Sequence, residues 1–151
     1  MPQSLAKVLV HLVFATKKRY PFFKNKILRD EMHRYLGGTL KKLGCHVLIV
    51  GGSDEHVHLL FSLDRNNSLA FLVRELKRES SKWIKTKDKT MLKFSWQIGY
   101  GVFSVSQSQV RKVIEYIERQ EEHHQNRKYE NEYIAFLKKY EINYNEQFVW
   151  D

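Results

Sequence analysis

The sequence predicts an α+β protein: a ferredoxin-like β-α-β-β-α-β antiparallel sheet followed by C-terminal helices. Three observations lead there. Short apolar runs rich in β-branched residues, 5–16, 45–50 and 56–63, read as strands. Longer stretches at 24–43, 68–87 and 107–125 repeat apolar residues every three or four positions and read as helices. The two kinds follow one another with short connections, for which an antiparallel sheet carrying its helices on one face is the economical packing.

The first run, from Leu5 to Thr16, is apolar at both alternations, as suits an interior strand covered on both faces, and the Lys17-Lys18-Arg19 cluster closes it. Lys24 to Leu43 has Ile27, Met32, Tyr35, Leu36, Leu40 and Leu43 at helical spacing, with Gly44 placed to end the helix; Gly37-Gly38 inside it weakens the pattern. Cys45 to Val50 is the second strand, and Gly51-Gly52-Ser53-Asp54 is turn chemistry. The third strand, His56 to Leu63, puts Val57, Leu59, Phe61 and Leu63 on one face and His56, His58, Leu60 and Ser62 on the other.

Ser68 suits the N-cap of a helix reaching Lys87, with Leu69, Leu72, Val73, Leu76, Trp83 and Ile84 as its apolar stripe and Arg74, Lys77, Arg78, Lys82 and Lys85 beside it. Trp96 to Val105 alternates again and predicts a fourth strand. Gln107 to Gln125 predicts a helix with Val110, Val113, Ile114 and Ile117 inward. A last helix follows over 126–140, with Tyr129, Tyr133, Phe136, Leu137 and Tyr140.

At 151 residues, 42% hydrophobic and with only Pro2 and Pro21 to break it, the chain reads as one domain over 1–151. A net charge of +9 points to a polyanion, nucleic acid before an anionic membrane. Cys45 is the lone cysteine, which excludes an internal disulfide and argues against a secreted, disulfide-dependent fold. The apolar run 5–15 is too short to span a bilayer and is interrupted by Lys7 and His11, so a soluble, cytoplasmic protein is expected.

Two stretches carry chemistry. In Glu55-His56-Val57-His58, strand alternation turns both imidazoles to one side, where they can bind a divalent transition metal and leave positions open. In Tyr116-Ile117-Glu118-Arg119-Gln120, one helical turn separates the phenol from the amide, and both fall on a flank of the apolar stripe. Tyr116 is then either a boundary tyrosine with its hydroxyl in water, or a nucleophile at the rim of a metal site with Gln120 as third ligand. The lysine and arginine row is either a solvated face or a set of phosphate contacts. His11 reads as a core histidine, Asp54 and Glu55 as turn residues or supports for the imidazoles, and His124 as an exposed residue or an extension of the site.

The motifs His-Leu-Val-Phe-Ala-Thr-Lys-Lys-Arg, Glu-His-Val-His-Leu-Leu, Leu-Lys-Arg-Glu-Ser-Ser-Lys-Trp, Trp-Gln-Ile-Gly-Tyr-Gly-Val-Phe-Ser-Val-Ser and Tyr-Ile-Glu-Arg-Gln-Glu-Glu-His-His occur in this order. Together they resemble the single-tyrosine HUH transposases of the insertion-sequence 200/605 group. The resemblance implies that His56, His58 and Gln120 hold Mg²⁺ or Mn²⁺ and that Tyr116, on a C-terminal helix, is the catalytic tyrosine. It also implies cleavage and rejoining of single-stranded DNA through a 5′-phosphotyrosine link, recognition of DNA hairpins, and a homodimer whose active sites can be shared between chains. Glu55 stands where the family usually has Asp before the first histidine. DNA contacts are expected from Lys17, Lys18, Arg19, Arg74, Lys77, Arg78 and Lys82. The rival readings are a domesticated nuclease of repeat hairpins with the same chemistry and a non-catalytic ferredoxin-like nucleic-acid-binding module.

Overall fold

The computed structural model describes residues 2–122 and 128–151. Its elements are β1 (Leu9–Ala15), α1 (Lys26–Lys42), β2 (His46–Gly52), β3 (His56–Ser62), α2 (Leu69–Lys87), β4 (Gly101–Ser104), α3 (Val110–Glu118) and α4 (Tyr129–Lys139). The strands form one sheet in the order β2-β3-β1-β4. Every neighbouring pair is antiparallel, and the elements follow the predicted β-α-β-β-α-β order.

Local chemistry fixes the helix ends. The Asn25 side chain accepts the Leu28 N–H at 3.1 Å and starts α1, and Ser68 accepts the Phe71 N–H at 3.1 Å to start α2. Helix α1 runs unbroken through Gly37-Gly38 and ends before Gly44, whose φ of +88° is the left-handed conformation that glycine tolerates. Met32, Leu36 and Leu40 of α1 and Leu72, Leu76 and Ile84 of α2 are buried against Leu12 and Phe14 of β1 and Val57, Leu59 and Phe61 of β3.

The opposite sheet face is covered as well, which corrects the expectation of helices on one face. Strand β1 is apolar at both alternations, so Leu9, Val13 and Ala15 need a second cover. Helix α3 supplies it over Leu9 and Leu60 through Ile117. Helix α4 supplies it over Val13, Ala15 and Phe103 through Tyr129, Tyr133 and Leu137. His56 and His58 therefore lie beneath helices, not on an open sheet.

Two elements differ from the sequence reading. The fourth strand begins at Gly101, not Trp96, with a single bridge joining Thr16 to Trp96 upstream. Between them, residues 97–99 bond elsewhere: Lys77 Nζ donates to the carbonyl oxygens of Gln97, Ile98 and Gly99 at 2.8, 3.0 and 2.8 Å, the Gln97 side chain accepts the Ala15 N–H at 2.7 Å, and the Gly99 N–H donates to the Asp151 carbonyl at 2.7 Å. Carbonyls gathered on one ammonium are not laid out along a strand edge, and Ile98 is left outward and exposed. The helix expected over 107–125 is a 3₁₀ turn at Gln107–Gln109, then α3, then a break at Arg119 with helical residues again at 120–122. His124, and the expected helix boundary at 125–126, lie outside the described residues.

Candidate active site

The site lies where β3, α3, the 120–122 turn and α4 meet. His56 and His58 leave the same face of β3, as alternation requires, and both are fully buried. The His56 Nδ1 is 2.6 Å from Glu55 Oε1, so the carboxylate holds the ring and leaves Nε2 facing Gln120 Oε1 at 2.8 Å. Of the two acids in the turn, Glu55 is thus the one on the histidine. Asp54 instead meets Arg29, whose guanidinium lies 3.3 Å from Asp54 Oδ1 and 2.6 Å from Glu121 Oε1. That arginine ties α1 to the turn carrying Gln120.

Glu132 of α4 completes the cluster. Its Oε1 is 3.0 Å from His58 Nε2 and accepts from Gln120 Nε2 at 3.2 Å. The same oxygen accepts the Tyr116 hydroxyl. Tyr116 and Gln120, predicted to face one way, do converge, although the helix between them is interrupted. Sequence reasoning missed Glu132. A signal exists: it sits three residues after Tyr129 and four before Phe136, an acid embedded in an aromatic stripe.

The electrostatics follow from burial and mutual contact. Burial is the largest influence on Glu132 and raises its pKa, but the neighbouring His58, His56 and Tyr116 outweigh it and bring the carboxyl down to about 2. Burial lowers His56, yet Glu55, Glu132 and Gln120 overcome it, so its pKa is raised above the ordinary value. At His58 burial prevails and the pKa is lowered. At His11 burial, reinforced by the neighbouring His58, lowers the pKa well below the ordinary value.

The donor set fits a divalent ion. His56, His58 and Glu132 each offer a ligand atom, and these lie within 4.8 Å of one another. His58 Nε2 is buried and, because its approach to Glu132 lacks hydrogen-bond geometry, has no hydrogen-bond partner among the described residues. A cation held between that nitrogen and the Glu132 carboxylate would satisfy both. Adjacent ligands on an octahedral ion with bonds of about 2.1 Å stand about 3 Å apart. The 2.8 Å from His56 to Gln120 and the 3.0 Å from His58 to Glu132 match that spacing.

A cleft of about 640 Å³ opens beside Tyr116 and His11, with Lys112, Lys139, Phe136 and Tyr140 among its walls. The predicted DNA-contact residues are scattered. Lys17 and Lys18 are exposed and line a separate cleft with Tyr20, Phe22 and Lys93. Arg19 pairs with Glu130 at 2.5 Å and lies over the Trp150 ring. Arg74 and Lys82 are exposed, whereas Arg78 is bridged to Glu75 and Glu79 at 2.7 and 2.9 Å. Lys77 differs from the rest of that row: its ammonium donates to three carbonyls, and burial lowers its pKa to about 8. No helix among the described residues is long and apolar enough to cross a membrane.

Comparisons with known proteins bear on the fold and the family. A candidate transposase from Deinococcus radiodurans R1 superimposes with a TM-score of 0.61 at 22% identity, over 80% of this chain and 96% of that one. A REP-associated tyrosine transposase bound to a REP hairpin gives a TM-score of 0.55 at 13% identity, over 79% of this chain and 70% of that one. At such identities the likeness concerns the fold. No curated protein matches the chain. The family model described as "Transposase IS200 like" matches residues 4–120. That match spans well over half of the sequence and takes in both histidines, Tyr116 and Gln120, and by it the chain belongs to the IS200-like transposase family.

Proposed function

We propose that the protein is a metal-dependent DNA transposase, a single domain over 1–151 that cleaves and rejoins single-stranded DNA by transesterification. One observation carries the reading. The Tyr116 hydroxyl shares the carboxylate of Glu132 with a buried cluster of His56, His58 and Gln120 in which one imidazole nitrogen has no hydrogen bond. A phenol bonded to a buried carboxylate beside paired imidazoles supports the nucleophile role.

In this reading His56 Nε2, His58 Nε2 and Gln120 Oε1 hold Mg²⁺ or Mn²⁺, with Glu132 as a further oxygen ligand. The bound ion supplies positive charge beside the scissile phosphate. Tyr116 attacks phosphorus: the phenolic O–P bond forms, the P–O3′ bond breaks, and the DNA stays on the enzyme as a 5′-phosphotyrosine. The phenol gives up its proton and the departing 3′-oxygen takes one, so the step is neutral overall. Glu132, whose pKa is lowered by His58, His56 and Tyr116, is a weak base beside a phenol of ordinary pKa about 10. Its part is to aim the hydroxyl and hold the proton while the bond forms. Attack by a second 3′-OH reverses the step and joins new ends without nucleotide hydrolysis.

The cleft at Tyr116 gives the single strand a way in, with Lys112 and Lys139 beside the path of the phosphates. Hairpins are recognised by other exposed cations, Lys17, Lys18, Arg74 and Lys82 among them. The assembly is a homodimer. A second reading, a nuclease of dispersed repeat hairpins with the same chemistry, is favoured by the fold shared with a protein bound to a REP hairpin.

The test is incubation with end-labelled hairpin-bearing single strands, followed by denaturing electrophoresis. A DNA–protein adduct should form with Mn²⁺ or Mg²⁺ and vanish with chelator. Tyr116→Phe should bind DNA without forming it. Efficient cleavage in chelator would sink the metal role.

A further inference from the structure

His11 is buried on β1 and has no part in the reaction proposed above. Its position follows from register. Val13 pairs with His58 and His11 with Leu60 across the antiparallel β1–β3 ladder, so His11 and His58 are diagonal neighbours on one sheet face. Their rings are 5.0 Å apart, and His11 Nε2 lies 2.7 Å from His58 Nδ1. Aromatic rings enclose the rest of the imidazole, with Phe136, Phe103 and Tyr116 edge-on at 5.3, 6.4 and 6.4 Å.

A hydrogen bond between two neutral imidazoles uses one proton and one lone pair. For His58 to offer the lone pair of Nε2 to a cation, its own proton has to sit on Nδ1, the atom that faces His11. We infer that His11 is a positioning residue: by accepting from His58 Nδ1–H it fixes both the ring orientation and the tautomer in which His58 Nε2 can bind the metal. The two histidines are then held in unlike ways, His56 by the Glu55 carboxylate and His58 by a neutral imidazole. A carboxylate at both positions would add a further negative charge to a buried cluster that already contains Glu55 and Glu132. A neutral acceptor orients the ring without that charge.

This inference rests on the metal reading, and the experiment separates the two. Mn²⁺ binding is measured by titration calorimetry on the full chain for the wild type, His11→Phe and His11→Gln, and the His58 tautomer is read from its ¹⁵N imidazole shifts. Phe keeps a ring in an aromatic pocket but cannot accept. Gln can accept at about the reach of Nε2. The wild type should show His58 protonated at Nδ1. His11→Phe should lose about 10–100-fold in Mn²⁺ affinity, and His11→Gln should recover most of it. Wild-type affinity in His11→Phe, or an equal loss in both variants, would overturn the role of His11. A wild type that binds no Mn²⁺ would overturn the metal reading and this inference with it, whereas Mn²⁺ binding with His58 protonated at Nε2 would overturn only the inference.

Discussion

Gly51→Ala puts the placement of Tyr116 to a direct steric test. Gly51 lies on β2 opposite His58, and α3 packs so closely there that a Cβ would stand 2.7 Å from Ile117 Cγ2 and 2.9 Å from the Ile117 carbonyl oxygen. Ordinary contact begins near 3.4 Å, so the backbone has to give by about 0.5 Å. Rotating the Ile117 side chain relieves only the first clash; the second moves α3 itself. Overpacking of this kind costs about 1–3 kcal/mol, offset by about 0.4–1 kcal/mol from the stiffer unfolded chain. A net loss of about 1–2 kcal/mol should appear in urea unfolding. Because Tyr116 precedes Ile117 and a 1 Å misplacement can cost about 100-fold, adduct formation should slow by about tenfold. Ile117→Ala in the same background should leave most of that defect in place. A Gly51→Ala protein as stable and as fast as the wild type would refute the claim that this close approach sets the nucleophile.

Three further outcomes follow from the same structure. Glu132→Gln keeps the shape of the side chain but removes its charge, so Mn²⁺ affinity should fall by about tenfold or more in calorimetry, and an unchanged value would remove Glu132 from the ligand group. Arg29→Met leaves the Phe23 carbonyl, Asp54 and Glu121 without their shared donor, and should cost about 1.5–3 kcal/mol in urea unfolding and weaken metal binding through the 120–122 turn. A stable variant with intact binding would show that the turn holds itself. Lys77, depressed from 10.5 to about 8, binds fewer protons folded than unfolded between those values. Its contribution to stability therefore rises as pH climbs from 8 towards 10.5. Lys77→Met should lose that rise, and should be less stable at pH 7 because three carbonyls lose their donor.

What the sequence disclosed depended on how far each signal reaches along the chain. Strand alternation turned His56 and His58 to one side, and the Val110, Val113, Ile114 and Ile117 stripe turned α3 inward, because both are periodic patterns a few residues long. Helices on both faces were foreshadowed by the two-sided apolarity of β1, yet a preference for the simplest packing hid the consequence. The short β4 was not legible, since the partners of 97–99, Lys77 and the Asp151 carbonyl among them, lie twenty residues and more away. Lys77 itself read as one cation in a basic row, and nothing local marks it as half-buried. Glu132 was harder still: its worth comes from α4 folding back over β3, a long-range contact that no local period encodes. His11 was rightly placed in the core, while its partner depended on the β1–β3 register, which local alternation leaves open.

The measurement that bears most directly on the account is peptide mapping of the covalent DNA complex. Protein incubated with Mn²⁺ and a hairpin-bearing single strand is digested with protease and nuclease, and the peptides are read by mass spectrometry. The expected product is a residual nucleotide joined through its 5′-phosphate to Tyr116, formed only with the metal present. A nucleotide on any other residue, or strand cleavage that leaves Tyr116 unmodified at every time point, would contradict it.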